Sequence, residues 1–95
     1  MAVIRRLVLD VLTPHEPNIV DFARILASQG DYEVSVTVLE MDDKTETLLV
    51  VIEGEDVDFD GIAAAISDFG ASLHSIDEVE VGSKATSDKS ARERD

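Results

Sequence analysis

Residues 52–60 read IEGEDVDFD, Ile52 to Asp60. Ile52 closes an apolar, β-branched run that begins near Glu46; Gly54 turns the chain; Phe59, Ile62, Ile66 and Phe69 then recur at helical spacing. The period changes from two to 3.6 within this stretch, which marks a strand passing directly into a helix. Asp58 is placed to cap that helix and Gly70 to stop it, so the spacing predicts a helix from about Asp58 to Phe69.

The same pattern occurs once more, upstream. Val3 to Leu12 reads as a near-continuous apolar strand, with Leu7, Leu9 and Val11 on one side and Arg6, Val8, Asp10 and Leu12 on the other. TPHEPN (13–18) follows as a loop, with Pro17 suited to a first helical turn. A helix is expected to about Gln29, with Ile19, Phe22, Ala23 and Leu26 buried and Gly30 as a left-handed cap. Val34, Val36 and Val38 alternate with Ser35 and Thr37 in a half-buried strand to about Met41, and Asp42–Thr45 is a turn of hairpin length. In the strand Glu46–Glu53, Leu48, Val50 and Ile52 face the helices. Ala71–Val81 is a last strand whose apolar residues Leu73, Ile76 and Val79 are spaced by three, which predicts a β-bulge near Ser75 or Ile76.

The order βαββαβ points to a ferredoxin-like α+β sandwich: one four-stranded antiparallel sheet, order 4-1-3-2, with both helices on one face. Residues 1–82 form the single domain expected of this length, and the polar segment 83–95 reads as a disordered tail. The other sheet face presents Val8, Leu12, Leu39, Leu49 and Val51 among Arg6, Asp10 and Glu53, an aliphatic surface that invites self-association.

Charge narrows the function classes. Residues 1–81 carry eighteen acidic and four basic side chains, a net of −14, and Lys44 is their only lysine. Such a surface repels phosphate, which disfavours nucleic acid as a partner. It suits a high-salt cytoplasm, where screening removes self-repulsion, and it also suits divalent cations. The chain has no cysteine, hence no disulfide and no thiolate chemistry. No apolar run reaches membrane-spanning length, and Asp10 interrupts the run that follows Arg5 and Arg6, so a signal peptide is not expected and the location reads as cytoplasmic.

The segments RRLVLDVLTPHEPNIV (5–20), TVLEMDDKTETLLVVIEGEDVDFDGI (37–62) and LHSIDEVEVG (73–82) together resemble the archaeal family called domain of unknown function 211, over about residues 2–83. The resemblance implies a small ferredoxin-like protein that assembles into oligomers, rings among them, and binds calcium. It implies no known reaction. This chain looks like a strongly acidic, salt-adapted member.

Asp56-Val57-Asp58-Phe59-Asp60-Gly61 matches the first half of an EF-hand loop, but the twelfth position is Ser67 rather than glutamate and the helical period already begins at Phe59. EF-hand geometry is therefore rejected; acidic groups at a helix N-terminus are favourable with the helix dipole. Asp10, in a central apolar strand, needs a partner. The topology sets it toward Glu40, Glu46 and His74, and sets Arg5 and Arg6 toward Glu53 and Asp77-Glu78. Asp10, Asp77 and Glu78 are the first choices for cation ligands, with Asp56 and Glu53 second. The competing assignments are an Asp10 bonded to a sheet neighbour and a Glu53–Arg6 ion pair.

His15 and His74 are the only histidines, and polar-loop and surface roles are expected for them. A hydrolase triad is unsupported, because the adjacent His74 and Ser75 point to opposite faces. RNA-recognition domains share the topology but stack bases on sheet-face aromatics, which are absent here, and no arginine-bearing phosphate cradle of the acylphosphatase kind follows strand one. Two readings stand above an enzyme: an oligomer with calcium or a similar hard cation at its contacts, and a small-molecule effector module using the TPHEPN loop.

Overall fold

The computed structural model describes residues 2–16 and 18–83. Pro17 and the tail from Lys84 onward, to which the helix-entry and disorder expectations apply, lie outside the described residues. The elements run β1 (Ala2–Pro14), α1 (Ile19–Ala27), β2 (Glu33–Met41), β3 (Thr45–Glu53), α2 (Phe59–Asp68) and β4 (Ser72–Ser83). They build one antiparallel sheet in the order β2-β3-β1-β4. This is the expected ferredoxin-like arrangement, with the two most apolar strands in the middle. No helix among the described residues is long and apolar enough to cross a membrane.

Alternation decides the core. Leu7, Leu9 and Val11 of β1 pair with Ile52, Val50 and Leu48 of β3, and all six are buried. Phe22 and Leu26 of α1 and Ile62 and Ile66 of α2 close over them. The Phe22 and Phe69 rings meet at 4.8 Å between centroids, tying the two helices together. Asn18 Oδ1 accepts from Val20 N and Asp21 N at the start of α1, and Asp58 accepts from Gly61 N at the start of α2. With α2 beginning at Phe59, the acidic loop before it is a helix entry, as the helical period indicated.

Four details differ from expectation. α1 ends at Ala27, and Gly30 is not a left-handed cap; its missing Cβ makes room for the Tyr32 ring, which a Cβ would meet at 2.6 Å. Gly70 alone carries a positive φ among the described glycines, +94°, where it releases the chain from α2. The single bulge expected in β4 is resolved as two, with His74 and Asp77 as the extra residues, and a third irregularity makes Arg5 the extra residue of β1. Leu39, expected on the uncovered face, is exposed and is the extra residue where β2 slips against β3.

Candidate functional site

The uncovered sheet face is organised by β1. Arg6 Nη1 donates to Glu53 Oε2 at 2.6 Å and Arg6 Nε stands 3.3 Å from Glu78 Oε2, so one guanidinium ties β3, β1 and β4 together. The hydrogen bond to Glu53 raises the Arg6 pKa above its ordinary value, with the Glu78 charge adding to it. The expected Glu53–Arg6 pair is thus present, and Glu78 shares the same arginine. Beside them Val8, opposite Val51 and Glu78, is already buried within the single chain.

Two residues further along β1, Asp10 sits between Leu49 of β3 and Ser75 of β4. Its Oδ2 lies 3.6 Å from His74 Nδ1, while its Oδ1 is buried with no hydrogen-bond partner. The His74 ring is largely exposed, so it covers one side of the carboxylate only. A carboxylate oxygen desolvated and left unpaired is costly. This is the one site residue whose environment calls for a further positive or donor group.

The other positions are spread out. Asp77 is the extra residue of a β4 bulge and accepts from Ser75 Oγ at 2.8 Å. Asp56 lies exposed at the bend between β3 and α2 and has an interaction of its own. Glu40 pairs with Thr47 on the outer strand β2. Glu46, expected near Asp10, is opposite Thr13 on the helix side of the sheet, where both are buried, so the sheet itself separates the two carboxylates. Among the described residues no three histidine, aspartate or glutamate side chains stand together as a metal-holding group. Calcium takes about six to eight oxygens. The orphaned Asp10 oxygen fits such an ion as one ligand; within one chain the rest of the shell would fall to water or to a second chain.

At the far end of the sheet His15 Nε2 is 3.3 Å from the Thr45 carbonyl, which closes the TPHEPN loop onto the hairpin. Asp42 accepts from Thr45 N, Lys44 N and Thr45 Oγ1, and the bond from Thr45 N is the leading cause of its lowered pKa. A groove of about 330 Å³ between the helices is lined by Ile25, Gln29, Gly61, Ala64, Asp68 and Phe69, without converging polar groups.

Sequence reasoning missed Tyr32. Its hydroxyl accepts from Asp58 N at 2.9 Å, and its ring fills the space left by Gly30 and Gly54. The signal was available: the chain's sole tyrosine lies two residues after one glycine, and a second glycine stands at the turn into α2.

The family model DUF211, described as "Uncharacterized ArCR", matches residues 5–95. The chain is 50% identical over 82 residues to "Uncharacterized protein MJ0319" of Methanocaldococcus jannaschii, covering 85% of this chain and 84% of that one. A match across nearly the whole chain, joined to an archaeal relative at half identity, establishes that this chain belongs to the archaeal family domain of unknown function 211.

Proposed function

We propose that the chain is a non-enzymatic, self-associating binding protein that takes up a divalent cation of calcium type near its subunit contacts. The observation that carries this reading is Asp10: a carboxylate on a central strand, half covered by His74, with one oxygen buried and unpartnered. A hard cation satisfies that oxygen and offsets its desolvation. Asp10 is one strand in from the edge strand β4, and Asp77 lies on that edge, so a neighbouring chain at β4 could complete the coordination shell. Glu53 and Glu78 contribute less directly, because both are already engaged by Arg6.

The remaining acidity serves solvation. Carboxylates hold hydration in concentrated salt, where their mutual repulsion is screened. This accounts for acidic groups scattered over both helices and the hairpin, far from Asp10.

Calcium titrated into the protein in high potassium chloride, followed by calorimetry, tests the cation. The expected result is saturable heat that Asp10→Asn abolishes or weakens by at least about tenfold, a change of about 1.4 kcal/mol. Equal heats from the wild type and Asp10→Asn would contradict the assignment.

A further inference from the structure

We propose that Glu46 and Thr13 form a site for a small monovalent cation, a potassium ion or a primary ammonium head, where the 13–18 loop leaves β1. The site lies on the helix side of the sheet and is separate from Asp10.

The core pattern breaks at one rung. On β3 the helix side carries Leu48, Val50 and Ile52, and the next position in that column is Glu46; on β1 it carries Leu7, Leu9 and Val11, and the next is Thr13. Thr13 and Glu46 pair directly, so both apolar columns end in oxygen-bearing side chains at the same place. Thr13 is 2% exposed and Glu46 9%, and they are the buried polar residues among those described. Directly opposed side chains of an antiparallel pair stand about 4.5–5.5 Å apart at Cβ, close enough for oxygens of both to reach one ion.

Neither side chain has a strong partner. Glu46 makes no side-chain hydrogen bond or ion pair with a described residue, and Lys44, two positions away, does not pair with it. His15 Nε2 goes to the neighbouring Thr45 carbonyl rather than to this carboxylate. The Thr13 hydroxyl donates to the Pro14 carbonyl at 3.3 Å, which leaves its lone pairs free to accept. A carboxylate drawn into the margin of an apolar core without a counter-charge is costly, and a cation offsets that cost. The structure seals off Asp10 Oδ1 but not the Glu46 oxygens, which keep contact with solvent and leave an ion a way in.

Charge fixes the class of ligand. One carboxylate neutralises one positive charge. A divalent ion here would keep an uncompensated charge at the edge of the core, whereas a monovalent ion leaves the site neutral. The remaining ligands are neutral oxygens, the Thr13 hydroxyl and water. These suit potassium, which exchanges its hydration for neutral oxygens, or an ammonium head, which donates three hydrogen bonds.

Melting curves at constant ionic strength test the site. Tetramethylammonium chloride, whose bulky cation donates no hydrogen bond, is replaced stepwise by potassium chloride or by methylammonium chloride. An ion at about ten times its dissociation constant should raise the melting temperature of the wild type by about 5–10 °C. Glu46→Gln, of nearly the same shape, should abolish the rise, and Thr13→Val, which exchanges a hydroxyl for a methyl group, should reduce it. A rise with potassium assigns the metal ion; a rise with methylammonium alone assigns the ammonium head. The same rise in the wild type and both variants overturns the site, and so does a wild type that melts alike in all three salts. If Glu46→Gln does not fold, Thr13→Val decides, and an undiminished rise in that variant overturns the site.

Discussion

Asp10 Oδ2 stands 3.6 Å from His74 Nδ1 across the boundary between β1 and β4, at the place where β4 takes in an extra residue. The bulge brings the imidazole to one carboxylate oxygen and leaves the other buried and unpaired. A structural residue of this kind is a liability, and replacing it should reveal that. Asp10→Val, a β-branched residue on a strand whose neighbours are Leu49 and Val8, should raise the stability of the metal-free protein by about 1 kcal/mol while removing any stabilisation by calcium. Thermal melts with EDTA and with calcium give both quantities. A destabilised Asp10→Val protein that still responds to calcium would run against the account.

The Tyr32 hydroxyl accepts from the backbone N–H of Asp58 at the entry to α2. Tyr32→Phe should lower stability by about 1 kcal/mol in urea denaturation, because that N–H loses its partner. Gly54→Val should cost more, since its Cβ would meet the ring at 2.9 Å and the Asp31 carbonyl at 3.2 Å. A fully stable Gly54→Val protein would show that the ring moves aside.

In the hairpin, hydrogen bonds from Thr45 and Lys44 hold the Asp42 carboxyl below its ordinary pKa. A depressed folded-state value means that its stabilisation is full above the ordinary aspartate range and is lost as pH falls through the depressed value. Asp42→Ala should therefore lower the melting temperature at neutral pH and remove this part of the acid sensitivity. Melts of both proteins between about pH 6 and about pH 2 should converge as the carboxyl protonates. Parallel curves over that range would contradict the assignment.

Gly70 leaves α2 with φ of +94°, and a Cβ there would meet nothing within 4 Å. The cost of Gly70→Ala is thus backbone strain alone, about 1 kcal/mol. Leu9→Ala, beneath both helices, should cost about 2–5 kcal/mol. Equal losses in the two variants would contradict the placement of Leu9 at the centre of the core.

Periodicity made the fold legible. The period change at Gly54 and the alternation of Leu7, Leu9 and Val11 with Leu48, Val50 and Ile52 leave one economical sheet order, and that order is observed. Chain pattern reveals neither which residue a bulge absorbs nor what a glycine makes room for. Leu73, Ile76 and Val79 signalled one irregularity where β4 takes in two extra residues, and Gly30 read as a helix cap because its true reason, the Tyr32 ring, comes from tertiary contact. At the site, the topology placed Arg6 by Glu53 and Asp10 by His74. It also set Arg6 toward Glu78, which that guanidinium engages, but Glu46, two residues before Leu48, follows the same alternation onto the helix side, away from Asp10.

Light-scattering mass after size exclusion, in high potassium chloride at constant ionic strength, with calcium and then with EDTA, tests the central claim most directly. The account predicts an oligomer held or enlarged by calcium and reduced by EDTA. A single-chain mass in both conditions, or one unchanged oligomer mass in both, would contradict a cation at the subunit contacts.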